Sequence, residues 1–325
     1  MKPTVGASAP EIRAFLNSVR LGATIELGDR TVLALLAPDA DADADLLEDA
    51  LARGTRVTEV TESGRVNSVR IGHPGPKHLL LIDGEEIVGA KQNRILNASF
   101  LVPPASEAVV PVSCVERGRW SYRTESFRSS ARTVATEVRS AKLRRVASSL
   151  FDGGDYDADQ SAVWRDVDSH LARSGVTSSS SAYSDAADRR ASSVEARLER
   201  LAPVPGQVGF AAMRGNRIVA LDLFGSPSLY ARGWKKLARG VLADVGEDAA
   251  VPTCHPTAVE EVFRGLVLKR ALERLALMPY VRREAPGCGE TLHGATESLV
   301  AGALVHASRV YHLVVGALRA DERVA

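Results

Sequence analysis

The sequence predicts an α+β protein: an antiparallel, β-sandwich-like core covered by amphipathic helices from the middle of the chain. Three observations carry that expectation. Between Thr55 and Glu116 the hydrophobic period is two, with short apolar runs separated by Gly, Pro and Asp-Gly turns. From 131 to 201 the period returns to that of a helix. A hairpin-like pair of runs and a strand-like end then follow, near 208–224 and 290–315. The 325 residues, 45% hydrophobic and 25% charged, lie in the globular range. We read them as one domain over 1–325, with the β core at 66–120 and flexible acidic and Ser-rich loops at 150–185.

Taken in order, Pro10, Ile12, Phe15, Leu16 and Val19 have helical spacing, and Thr31 to Ala37 reads as a buried strand ending at Pro38. The alternating run Asp39 to Asp45 lacks the turn glycine and closing glutamate of a calcium loop. Acids at that place suit a solvated helix start ahead of Leu46, Leu47 and Leu51. Strand-like runs follow at 66–71, 79–82, 95–102 and 109–115. Several short strands at close spacing without helices argue for antiparallel sheets packed face to face. Val134, Val138, Ala141, Val146 and Leu150 then form one helical stripe, with Arg139, Lys142, Arg144 and Arg145 off it and expected in solvent. Val163, Trp164, Val167 and Leu171 form a short amphipathic piece, and Ser174 to Ser181 reads as an exposed loop. Gly215-Asn216 tolerates positive φ and signals a hairpin between 208–213 and 218–224. Ser226 and Pro227 supply an N-cap and first position for a helix. Thr257 and Glu260 have capping-box spacing at the start of another, to which Val262, Phe263, Leu266, Leu272 and Leu275 lend an apolar face.

Charge excludes several function classes. With 41 basic and 40 acidic side chains the net charge is +1, so there is no global pull on nucleic acid or anionic lipid. Cys114, Cys254 and Cys288 are odd in number and far apart, which predicts reduced thiols and a cytoplasmic protein. Met1 to Gly6 has no apolar signal region. Ser298 to Leu318, interrupted by His306, Arg309 and His312, is too polar for a membrane span. The seven histidines (His73, His78, His170, His255, His293, His306 and His312) show no metal-ligand spacing, so neither a metal nor a cofactor is expected; His306 and His312 are read as same-face residues of one strand.

Two polar runs stand out. Lys91-Gln92-Asn93-Arg94 lies between strand-like segments, and an unpaired polar group in a sheet costs about 1–3 kcal/mol. A strand starting near Asn93 puts Asn93 and Asn97 on one face, where their amides either read a ligand or set sheet register. In the second run, Cys114 and Glu116 share a face ahead of Arg119 and Trp120, a pair suited to anion binding and stacking. Cys114 has no neighbouring histidine in sequence to make it a nucleophile and is expected as a buried thiol. Nine basic residues between Arg117 and Arg145, set against Glu125 and Glu137, read as a solvated helix face rather than a nucleic-acid surface.

The stretches Asp83-Gly84-Glu85, Gly89-Ala90-Lys91-Gln92-Asn93-Arg94, Asn97, and Val112-Ser113-Cys114-Val115-Glu116 to Gly118-Arg119-Trp120 resemble a bacterial domain family. That family is named for its association with ADP-ribosylglycohydrolases and rhodanese or phosphatase-superfamily proteins. Weaker similarity reaches Ala220 to Phe224 and the His306–His312 end. The resemblance implies a setting of ADP-ribose or nucleotide-derivative metabolism and carries over no catalytic residue. The expected function is a binding or accessory protein for a phosphorylated or nucleotide-like small molecule, of unknown oligomeric state. Its contacts would be Lys91, Gln92, Asn93, Arg94, Asn97, Glu116, Arg119 and Trp120. The alternatives are a hydrolase on such a ligand, with Glu85, Glu86 or Glu116 as general base, and a structural partner of a neighbouring enzyme. The last alternative has its own signature: the same polar side chains bonded to one another, and an exposed apolar patch elsewhere.

Overall fold

A computed structural model describes residues 5–246 and 257–318, so Cys254 and His255 lie outside the described residues. The chain opens with β1 (Val5–Ser8), α1 (Pro10–Ser18) and the hairpin β2 (Arg20–Leu27) and β3 (Arg30–Leu36). Next come β4 (Asp45–Leu46), α2 (Leu47–Ala52), β5 (Arg56–Glu59), β6 (Ser68–His73), β7 (Leu79–Leu81) and β8 (Glu85–Gly89). They continue into β9 (Arg94–Leu96), β10 (Phe100–Val102), β11 (Ser106–Cys114) and β12 (Phe127–Thr133). Four helices follow: α3 (Thr136–Phe151), α4 (Gln160–Arg173), α5 (Tyr183–Arg189) and α6 (Ala191–Leu198). The hairpin β13 (Gln207–Arg214) and β14 (Arg217–Phe224) leads to α7 (Pro227–Leu242) and α8 (Ala258–Leu277). Four strands, β15 (Pro279–Glu284), β16 (Glu290–Ala295), β17 (Leu299–His306) and β18 (Arg309–Ala317), complete the series.

Among the described residues the strands form a nine-stranded sheet in the order β1-β15-β16-β17-β18-β14-β13-β3-β2, a six-stranded sheet β12-β8-β9-β11-β6-β5 and a three-stranded sheet β10-β7-β4. Pairing is antiparallel except between β4 and β7. The α+β expectation therefore holds, but the β core at 66–120 is only part of the β structure. The widest sheet is built from the two ends of the chain, with β18 as its middle strand. Short strands with turns between them were visible at 66–116, whereas pairings between residues as distant as Ala34 and Phe210 leave no local trace.

The nine-stranded sheet is covered on both faces, which explains why its strands read as continuous apolar runs. Leu33, Leu35, Ala211, Met213, Leu221, Leu223, Leu313 and Val315 pack with Ile12, Phe15 and Leu16 of α1 and Leu268, Leu272 and Leu275 of α8. The alternate residues Val32, Phe210, Ala212, Ala220, Phe224 and Tyr311 pack with Leu229, Trp234, Leu237 and Val241 of α7. Helix α3 lies between layers. Leu143 and Ala147 meet Val300 and Val314 of the wide sheet, while Val138, Val146 and Leu150 join the core of the smaller sheets. Each fully buried aliphatic side chain contributes about 1.5–3 kcal/mol. A charged residue on α3 thus has little solvent to reach, and this decides the fate of two cations below.

Several local expectations change. The Asp39–Asp45 run is a loop followed by β4, and α2 starts only at Leu47. Residues 150–185 contain the 14-residue α4, capped by Asp159 accepting from the Ala162 N–H, together with the start of α5. Ser298 to Leu318 is not one strand but largely the β17–β18 hairpin, so His306 and His312 lie on different strands. No helix among the described residues is long and apolar enough to cross a membrane.

Candidate functional site

Seven of the eight sequence-predicted contacts meet beside β8, β9 and the end of β11. Arg94 is fully buried and donates two bonds of 2.9 Å to the Glu59 carboxylate; it also donates to the carbonyls of Ser68 (3.0 Å) and Arg65. Its guanidinium lies over the Phe127 ring at 5.5 Å. Arg119 grips Glu116 through Nε (2.9 Å) and Nη2 (2.6 Å), and bonds the Ala90 and Ser121 carbonyls and Asn93 Oδ1. Glu116 also accepts from the Asn93 N–H at 3.0 Å. Burial works against that carboxylate, but the bonds from Arg119 and Asn93 outweigh it and leave the pKa below its ordinary value. Gln92 donates to the Glu116 carbonyl, and Asn93 Nδ2 reaches Ser184. Lys91 donates to the carbonyls of Glu62 and Ser63 and lies 5.4 Å from the Trp120 ring and 5.0 Å from that of Tyr122.

These groups are therefore brought together, yet their polar atoms are turned on one another and on the backbone. Arg94 cannot offer its charge outward while it neutralises Glu59 in a buried pair. Trp120 and Tyr122 stay exposed, as does Arg123, whose guanidinium lies 3.6 Å from the Glu116 carboxylate. The eighth residue, Asn97, belongs elsewhere. Its Nδ2 donates to the Tyr156 carbonyl and its Oδ1 accepts from Ser113. Cys114 is fully buried and burial pushes its thiol pKa up, the opposite of nucleophile activation. Glu85 and Glu86 are likewise buried, paired with Lys236 (2.6 Å) and Arg132 (2.7 Å), and burial outweighs those partners to raise both pKa values.

Sequence reasoning missed a second polar cluster between α3 and the wide sheet. Arg139 bridges Asp83 (3.0 Å) and Asp222 (2.8 Å); Lys142 donates to Asp83 and to the Asn97 carbonyl at 2.8 Å. His312 sits 3.3 Å from Asp222 and 2.8 Å from the Ser99 hydroxyl, which accepts from the Asp83 N–H. Two anions face two cations, so the cluster is neutral overall. Burial brings the Lys142 pKa down to about 8 despite Asp83. Neighbouring His293 has no hydrogen-bond partner at either ring nitrogen, and burial takes its pKa to about 4. Groups of this kind serve catalysis where substrate can enter. Here the cavity lined by Arg139 and Asp222 is about 10 Å³, room for roughly one water. Arg139 and Lys142 thus leave the solvated face assigned to them, because α3 has sheet on both sides.

What is open to the exterior lies elsewhere. A cavity of about 260 Å³ is lined by Tyr183, Ala186, Ala187 and Val194 together with Arg132, Arg239 and Glu195. On α8 the sequence reading joined two faces into one. Leu272 and Leu275 are buried against α1 and the sheet, whereas Val262, Phe263 and Leu266, with Val259, are exposed. The signal was available: on a helical wheel 259, 262, 263 and 266 form one stripe, and 268, 272 and 275 another. Finally, His78, Cys288 and His306, scattered in sequence, converge.

A model of the ARG and Rhodanese-Phosphatase-superfamily-associated Protein domain matches residues 18–315. Comparison with curated proteins and with solved structures gave no match.

Proposed function

The chain belongs to the family of ARG and Rhodanese-Phosphatase-superfamily-associated proteins, and from that premise we propose that it is an accessory protein that docks onto a partner enzyme through the exposed face of α8. The observation behind this reading is the apolar stripe Val259, Val262, Phe263 and Leu266, exposed by 77%, 63%, 49% and 54%. Spacing of i, i+3, i+4 and i+7 aligns the four side chains, and monomeric proteins rarely leave such a contiguous patch in water. The patch continues onto Leu21 of β2, the edge strand of the wide sheet, and Arg264 pins the helix to that strand through Glu26 at 2.5 Å. The bonding of Lys91, Asn93, Arg94 and Arg119 to backbone carbonyls and to Glu59 and Glu116 agrees with the same reading, since a docking protein needs those groups to hold its shape rather than a ligand. Glu260 and Glu261 lie within the first turn of the stripe, and Lys269 and Arg270 follow it. The partner surface is then an apolar groove with basic groups at one end and acidic groups at the other.

The test is calorimetric titration of the full chain with an ADP-ribosylglycohydrolase and with a rhodanese–phosphatase protein from the same genome, repeated with Phe263→Asp. Binding should weaken at least tenfold, about 1.4 kcal/mol, with unchanged thermal melting. Equal binding by the variant, or no binding to either protein, would refute the reading. A self-dimer dissolved by Phe263→Asp would make the face a contact between copies instead.

One observation supports a second reading, the recognition of a nucleotide-like small molecule. The 260 Å³ cavity has apolar side chains and two arginines in its lining, the combination that holds a ring and a phosphate. Arg132 donates from Nε and Nη1 to Glu86 and Asp188, and Arg239 from Nε and Nη1 to Glu195 and the Ala131 carbonyl; these bonds leave Nη2 of each to an anion. A thermal-shift screen with ADP-ribose, nucleotides and sugar phosphates should then show stabilisation that Ala187→Phe, which fills the cavity, abolishes.

A further inference from the structure

Three metal-ligand side chains from distant segments meet beside one end of the wide sheet. His78 ends the loop before β7, Cys288 sits in the β15–β16 connection, and His306 ends β17. One ligand atom from each, two imidazole nitrogens and a thiol sulfur, lie within 4.8 Å of one another, and all three residues are half-buried. The two imidazole rings stand 5.2 Å apart at their centroids. Among the described residues neither ring takes part in a hydrogen bond, and the Cys288 thiol makes only a 3.5 Å contact with the Leu101 carbonyl.

The backbone holding Cys288 has little freedom. Its N–H donates to the Leu101 carbonyl at 2.9 Å. The flanking glycines have φ of +96° and +79°, where side chains are disfavoured. A Cβ on Gly287 would lie 2.3 Å from the Leu101 carbonyl oxygen, and one on Gly289 would lie 2.5 Å from that of Val305. The sulfur is thus delivered to a fixed place, and His306 lies directly beside Gly289.

We propose that His78, Cys288 and His306 form a site for a divalent transition-metal ion, Zn(II), with the fourth coordination position open to the adjoining cleft. Two imidazoles and a thiolate suit a borderline-soft ion, whereas Mg(II) and Ca(II) require oxygen ligands. A tetrahedral Zn(II) places such nitrogen and sulfur atoms roughly 3.3–3.7 Å apart, so the three side chains, whose ligand atoms lie within 4.8 Å of one another, need close in only slightly on the ion. The cleft is about 630 Å³ and is lined by Cys288 and His306 together with Arg282, Glu284 and Glu290. A small molecule with a metal-binding oxygen and polar ends fits that lining. This site is independent of the docking face on α8.

The test uses the reduced, metal-free full chain titrated with Co(II), then displaced by Zn(II). A thiolate-to-cobalt charge-transfer band should grow to one equivalent and disappear as Zn(II) enters, with a dissociation constant for Zn(II) of about 1 µM or tighter. Cys288→Ser should lose the band, and His78→Ala and His306→Ala should each weaken binding at least tenfold. Zn(II) should raise the melting temperature of the wild type, Mg(II) should not, and the metal-free variants should melt as the wild type does. Absence of the band in the wild type, its persistence in Cys288→Ser, or unchanged affinity in both histidine variants would overturn the proposal.

Discussion

Replacing Arg94 by Met separates a structural role from a ligand-binding one. The Arg94 side chain is 0% exposed and its partner Glu59 3% exposed, so the substitution strands a carboxylate in the interior. It removes two 2.9 Å charge-assisted bonds, the donors to the Arg65 and Ser68 carbonyls, and the contact with the Phe127 ring. Breaking a buried ion pair on one side costs about 3–5 kcal/mol, most of it the uncompensated charge. Met fills similar volume, so a cavity adds little. Removing the other charge as well, in Arg94→Met with Glu59→Leu, should return stability to within about 1–2 kcal/mol of the wild type, because an apolar pair of similar size is often as good as the ions. Urea unfolding of the wild type, both single variants and the double variant gives the cycle. A single variant that loses less than about 1 kcal/mol, or a double variant as unstable as the two losses added, would refute the reasoning.

Other outcomes follow from the same physics. Neutral His293 in the fold, with pKa about 4 against an ordinary 6.5, takes up its proton more readily when unfolded. Its stabilising effect is full above pH 6.5 and is lost as pH falls toward 4, by roughly 3 kcal/mol in all. His293→Leu should flatten that acid slope and be neutral or stabilising at pH 7, since neither ring nitrogen is bonded; an unchanged slope in urea unfolding at pH 7 and 4.5 would count against it. Asp222→Ala leaves Arg139 and His312 facing a gap and should cost about 3–5 kcal/mol by the same assay. Gly225→Ala places a methyl 1.8 Å from the Val310 carbonyl oxygen and should cost about 1–3 kcal/mol or prevent folding; melting within a degree of the wild type would contradict the packing.

Local signals were legible wherever one stretch of chain determines its own conformation. Pro10 opens α1, Ser226 and Pro227 open α7, and the Thr257–Glu260 box caps α8 with both reciprocal bonds present. Gly215 takes φ +55° in the hairpin where the sequence placed it. Burial by a second layer was not legible. Arg139 and Lys142 have the composition of a solvated helix face, and only α3's position between sheets makes them internal. The same limit governs the site residues: Arg94 and Glu59 are 35 positions apart in sequence, and nothing local announces that one neutralises the other. His78, Cys288 and His306 failed spacing rules for the same reason, because two loops and a strand end, far apart in sequence, supply them.

The middle strand of the nine-stranded sheet, β18, is also its latest in sequence. On one side it holds β17 and the strands beyond it; on the other it holds β14, β13 and the early hairpin. Before β18 is made the sheet consists of two groups of strands with open edges, and that strand alone joins them. Until then β14 and β17 wait as sticky edges, exposed to chaperones and to misassembly between chains. A product that stops short of β18 would contain nearly every element of the architecture and still fail to unite it, which makes synthesis of that strand a condition of solidity rather than a last refinement.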